Sequence, residues 1–156
     1  MGDTVVKSVA DLKQLVGQEI GVTDWLEITQ ERVNKFADAT GDYQYIHIDP
    51  ERAAQTFFGG TVAHGFLTLS LLASEEWVRH GVQFDLGGKL DVNYGLNKVR
   101  FPAPVRVGRR IRVRSKLVNV EELGDYAVQI TTQDTVEVEG EDKPACVAEG
   151  VGRTYF

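Results

Sequence analysis

The stretch Thr40-Gly41-Asp42-Tyr43-Gln44-Tyr45-Ile46-His47-Ile48-Asp49-Pro50 concentrates the most usable chemistry in the chain. A carboxylate, Asp42, and an imidazole, His47, stand five positions apart among Tyr43, Tyr45, Ile46 and Ile48. On a continuous helix that spacing turns the two side chains about 140° away from each other. On a tight loop both can converge on one water molecule. Partial burial raises a carboxylate's pKa, and imidazole already titrates near neutrality. Such a pair can take a proton from water and deliver one to carbon. The same residue types also serve structure: Asp42 can cap the local turn and His47 can be a satisfied core histidine.

A second candidate is Thr61-Val62-Ala63-His64-Gly65, which opens an apolar helix. A helix N-terminus exposes unpaired backbone N–H groups with positive dipole character, and Gly65 lets a ligand oxygen approach closely. That suits a carbonyl oxygen gaining negative charge. Close packing of the helix on a strand would ask for the same glycine. His64 is read as structural, its hydrogen bond fixing where the helix begins. His47, Asp49 and His64 match no metal-ligand spacing, and no metal is expected. No phosphate-cradling glycine loop or nucleophilic serine motif occurs.

These residues need elements to hold them. Ser8 caps a short helix ending by Gly17, and residues 20–28 read as a strand. Thr29 caps a second helix with Val33, Phe36, Ala37 and Thr40 on one face and Gly41 at its end. The run 42–50 reads as an ordered loop, with Pro50 starting another helix. From Gly65 a helix runs towards Gly81, buried on nearly all sides until Glu75 and Glu76, which read as a solvated face. Four strands are expected near 88–100, 109–121, 125–138 and 144–155; in the second, Ile111, Val113 and Ser115 alternate with arginines. A curved antiparallel sheet needs its concave face filled, and the apolar helix is the element able to fill it. The expected class is α+β, a hotdog arrangement in one domain covering residues 1–156.

The composition is that of a soluble protein: 42% hydrophobic, 26% charged, no apolar run long enough to cross a bilayer, and no signal-peptide layout. The lone Cys146 excludes an internal disulfide and reads as a buried thiol in a reducing, cytoplasmic setting. A net charge of −6 argues against nucleic acid or an anionic membrane as partner. Eight basic residues nonetheless fall between Lys98 and Lys116 with no acid among them. They form either a local anion site or the solvated face of a strand.

Thr40-Gly41-Asp42, Ile46-His47 and Ala53 resemble the signature of MaoC-like (R)-specific enoyl-CoA hydratases, as do Ala63-His64-Gly65 and Val99-Arg100-Phe101-Pro102-Ala103-Pro104-Val105. Through Asn93 to Phe101 the chain is similar to the single-domain nodulation protein N-like subgroup. The resemblance spans residues 20–155. It implies a homodimer that binds acyl-CoA near its interface and needs no metal or redox cofactor, coenzyme A being part of the substrate. It also implies that Asp42 and His47 hold and activate water, that the Gly65 N–H polarises the thioester carbonyl, and that syn addition gives a (3R)-3-hydroxyacyl-CoA. Tyr43, Gln44, Tyr45, His64, Asn97 and Arg100 are the further candidates for substrate contact. Gln44-Tyr45 replaces the family's Asn-Pro, which removes a rigid residue from the loop.

The hotdog fold also hosts acyl-CoA thioesterases, which typically use a carboxylate on the central helix, and a non-catalytic acyl-CoA or acyl-carrier binding module can share it. Glu75 or Glu76 would have to supply the carboxylate.

Overall fold

The computed structural model describes residues 2–156. Its strands are β1 (Thr4–Val6), β2 (Glu19–Thr23), β3 (Leu26–Glu27), β4 (Arg79–Phe84), β5 (Leu90–Arg100), β6 (Arg110–Leu123), β7 (Ala127–Val138) and β8 (Cys146–Tyr155). Its helices are α1 (Val9–Lys13), α2 (Gln30–Thr40), α3 (Tyr45–Ile48), α4 (Pro50–Ala54) and α5 (Gly65–Ser70), the last continued by a 3₁₀ turn, Leu71–Ala73. All eight strands form one sheet in the order β1-β4-β2-β6-β7-β8-β5, with β3 also on β6. Only β1 and β4 run parallel; the other pairings are antiparallel.

Local chemistry explains most of these elements. Ser8 accepts the Asp11 N–H and Thr29 the Arg32 N–H, so both helices begin where a capping side chain stands. Gly41 takes the left-handed conformation (φ 76°) and its N–H closes α2 on the Ala37 carbonyl at 2.8 Å. Val33 and Ala37 are fully buried; Thr40, expected on the same face, is exposed and turns its hydroxyl back to the Phe36 carbonyl. On β6 the expected alternation holds, with Ile111, Val113, Ser115 and Leu117 buried. Ile111 and Val113 join Leu67, Leu71, Trp77, Val136 and Cys146 in one core under α5. A second core lies under α1, around Leu12, Ile20, Leu117 and Val128.

The helix expected from Gly65 towards Gly81 is much shorter. The Trp77 indole N–H donates to the Leu71 carbonyl at 2.6 Å and the Arg79 guanidinium to the Leu72 carbonyl at 2.9 Å. Those side chains take the carbonyls that a continuing helix would have used, and Ser74 is already extended. Residues 79–84 therefore form β4, a fifth strand after the helix. Nor is α5 buried all round: Leu67 and Thr68 are buried, whereas Phe66 is 67% exposed. The 20–28 strand splits into β2 and β3, and the 42–50 loop contains the single turn α3. A long antiparallel sheet curved around one short apolar helix is the hotdog fold, in the α+β class. No helix among the described residues is long and apolar enough to cross a membrane.

At the end of β2 the buried Thr23 hydroxyl accepts the Val113 N–H at 2.9 Å, standing in for a ladder bond. Thr23→Val keeps the shape but orphans a buried N–H, so a urea melt should show a loss of about 1–3 kcal/mol with an unchanged slope.

Candidate active site

The extended segment Thr61–Ala63 is the platform. On one side Val62 bridges Arg106, the Ala63 N–H donates to the Val105 carbonyl at 2.8 Å, and the Val107 N–H donates to the Thr61 carbonyl at 2.9 Å. On the other side the Val62 N–H donates to the Ile46 carbonyl at 3.0 Å. The Val62 carbonyl then accepts from Nδ1 of His47 at 2.6 Å. A carbonyl only accepts, so Nδ1 carries the proton and Nε2 of the neutral ring keeps its lone pair. Gln30, in the first turn of α2, adds a clamp. Its Nε2 donates to the His47 carbonyl at 2.8 Å, and its Oε1 accepts from the Thr61 hydroxyl at 2.6 Å.

Asp42 approaches from the end of α2. Its Oδ1 accepts the Gln44 N–H at 3.3 Å, which tightens the turn into α3. That turn followed by one helical turn brings the residue five positions later back towards the carboxylate. One side-chain donor atom from each of Asp42, His47 and His64 lies within 4.8 Å of the others. Asp42 is exposed rather than partly buried as expected, whereas His47 is 7% and His64 2% exposed. Burial holds the His47 imidazole below its ordinary value of 6.5, against the opposing pull of the Val62 carbonyl and Asp42. The two rings stack with centroids 3.8 Å apart and planes 25° apart.

This trio does not suit a metal ion. Two nitrogens bound to one ion at about 2.1 Å have in-plane lone pairs that converge. Stacked rings keep theirs in separate planes only 25° apart, and Nδ1 of His47 already serves Val62.

His47 opens onto a cleft of ≈ 260 Å³ that Gly65 also lines, with Ile46, Phe58, Phe101 and Pro104 among its walls. Nε2 of His47 has no hydrogen bond among the described residues yet is not enclosed. A Cβ on Gly65 would meet the Phe101 ring at 3.1 Å, so close packing by itself favours glycine here. The helix geometry leaves the Gly65 N–H without an intrahelical acceptor. A larger open trough of ≈ 1030 Å³ runs along β4, β5 and β8 and holds neither Asp42 nor His47.

The remaining candidates scatter. Tyr43 is exposed and its hydroxyl donates to Asp38 at 3.0 Å; Gln44 is exposed at the start of α3. Tyr45 is half-buried beneath the Arg52 guanidinium, 4.1 Å from its ring centre. Asn97 pairs with Glu149 across β5 and β8, outside the cleft. Arg100 is exposed, bonded to the Val99 carbonyl, and only its neighbour Phe101 lines the cleft. In the basic run, Arg109, Arg110, Arg112 and Arg114 are paired with Glu141, Glu139, Glu137 and, for Arg114, also Glu19. For those four the solvated-strand reading is correct, because β7, the turn that follows it and β2 supply acids that spacing along one strand does not reveal. Lys98, Arg100, Arg106 and Lys116 form no ion pair among the described residues. Cys146 is fully buried, its thiol pushed up to about 11 by burial and by Asp134. Glu75 and Glu76 lie beyond the helix, and Glu76 is bound by Arg32.

Residues 11–139 match the family model described as the MaoC like domain. The chain is similar to the 3-hydroxyacyl-thioester dehydratase Z of Mycobacterium tuberculosis, 59% identical over 94% of this chain and 95% of that one. It is 43% identical to Nodulation protein N of Rhizobium leguminosarum bv. viciae, over 96% of this chain and 92% of that one. Among solved structures it is similar to the (R)-hydratase from A. caviae involved in PHA biosynthesis. That likeness has a TM-score of 0.63 and 25% identity, over 88% of this chain and 94% of that one.

His47's lowered value has a thermodynamic consequence. As pH falls below 6.5 the unfolded chain takes up the proton before the folded one, so stability is full above 6.5 and is lost on acidification. Titration followed by NMR should place the His47 midpoint below 6.5, and His47→Gln should flatten the decline in stability below that pH. A midpoint at or above 6.5 would contradict the burial argument.

Proposed function

The chain belongs to the MaoC-like dehydratase family and is a hydro-lyase of thioester intermediates, and from that premise we propose that it is an (R)-specific enoyl-CoA hydratase. The reading is that it adds water reversibly to a trans-2-enoyl-CoA to give a (3R)-3-hydroxyacyl-CoA. One observation carries the site assignment: a ring nitrogen of His47 and a carboxylate oxygen of Asp42 lie within 4.8 Å, and Nε2 is the His47 nitrogen left free by the bond to Val62. A single water accepts that span, because two hydrogen bonds of about 2.8 Å reach across it.

In this mechanism Asp42 orients the water and Nε2 of His47 takes one of its protons. The water oxygen bonds to Cβ, and the π electrons move towards the thioester oxygen. The Gly65 N–H donates to that oxygen while it carries charge, on the same cleft wall as His47. The proton on His47 then passes to Cα from the same face, so the elements of water add syn. Run backwards, the same steps dehydrate a 3-hydroxyacyl thioester. Every proton is accounted for with no metal or redox cofactor. Lys98, Arg100 and Arg106 are the unpaired cations nearest in sequence to the Phe101–Val105 wall and suit the phosphates of coenzyme A.

The thioesterase alternative lacks its carboxylate: Gly65–Ala73, the whole central helix and its 3₁₀ turn, contains no Asp or Glu. A binding module would not need an open lone pair beside a carboxylate. A homodimer is our reading of the edge strand β5, which ends the sheet with Leu90, Tyr94 and Leu96 exposed. The single buried thiol fits a reducing, cytoplasmic setting.

Crotonyl-CoA and a longer enoyl-CoA should lose their enoyl-thioester absorbance without release of free thiol. Asp42→Asn and His47→Gln, each folded, should each lower kcat at least about 100-fold. Thiol release would move the assignment to a thioesterase, and full activity in either variant would remove that residue from the mechanism.

A further inference from the structure

His64 is the polar side chain in this molecule that packing explains least. It is almost completely enclosed, between the Phe36 ring at 4.9 Å and the His47 ring at 3.8 Å between centroids. Its Nε2 donates to the main-chain carbonyl of Asp42 at 2.9 Å. Nδ1 of the neutral ring then keeps a lone pair, and that atom is buried with no hydrogen-bond partner among the described residues. A phenylalanine would fill the same flat slot and leave nothing unsatisfied. The imidazole brings one thing a hydrocarbon ring cannot, the hydrogen bond to Asp42.

Asp42 itself is exposed while His64 is buried, so the bond joins a surface loop to the interior. Its effect is on position. The Asp42 side chain is held only by the turn it makes with the Gln44 N–H, a contact internal to its own loop. His47, in contrast, is fixed from outside by Val62 and Gln30. The link from His64 to Asp42 ties the exposed carboxylate to the buried face against which His47 is stacked. Resting on the hydratase reading above, we propose that His64 is the positioning residue for Asp42, acting through the Asp42 main chain and touching neither water nor substrate.

Two substitutions separate this role from packing. His64→Phe keeps a flat ring in the slot and loses the donor; His64→Gln loses the ring and keeps a donor near the place of Nε2. With crotonyl-CoA, His64→Phe should match or exceed the wild type in thermal stability, yet lose at least about 10-fold in kcat with KM changed less than about 2-fold. His64→Gln should melt lower but retain kcat within about 3-fold of the wild type. A folded His64→Phe variant with wild-type kcat would overturn the proposal. So would a loss of kcat in both variants that follows their loss of stability. Absence of hydration by the wild-type chain would instead defeat the hydratase reading itself.

Discussion

The site depends on one hydrogen bond, from Nδ1 of His47 to the carbonyl of Val62. It sets the tautomer of the imidazole, aims the ring, and leaves Nε2 as the face that can act as a base. The bond has meaning only because Val62 itself cannot move. Its segment is bonded to residues 105–107 on one side and to Ile46 on the other. His47 is thus referenced to the chain between β5 and β6, although it sits on a four-residue helix with little stability of its own.

The rest of the fold follows from keeping that platform in place. The curved sheet wraps α5, and α5 begins where the platform ends, so His47 and the helix N-terminus share one cleft. Gly65 packs against the Phe101 ring there, and a Cβ at 65 would press on the ring that walls the pocket. Asp42 is the least constrained member, exposed on a loop, which gives the link from His64 its value. The paired arginines of β6 belong to a different task. Matched to Glu137 and Glu139, with Glu19 also on Arg114, they tie β6 to the neighbouring segments of the sheet.

Much of this was legible in the residues. The alternation on β6, the Ser8 and Thr29 caps and the glycine closing α2 were local, and each appears where it was read. The approach of Asp42 to His47 was legible as a possibility, and α3 supplies the turn that realises it. The long helix was misread because apolar content does not report where carbonyls are taken. Trp77 and Arg79 end it through side-chain bonds that only the fold brings together. Gln30 went unseen for a similar reason. A glutamine in the first turn of a helix carries no signal, and its two long-range bonds reach 17 and 31 positions along the chain. The acids opposite the basic run were equally hidden, since strand partners are set by register.

A crystal structure with a (3R)-3-hydroxyacyl-CoA bound tests the central claim most directly, because the product hydroxyl marks where the water stood. The account places that oxygen within hydrogen-bond distance of both the Asp42 carboxylate and Nε2 of His47, with the thioester oxygen at the Gly65 N–H. A product whose hydroxyl lies away from His47, or whose acyl thioester sits in the trough along β4, β5 and β8, would contradict it.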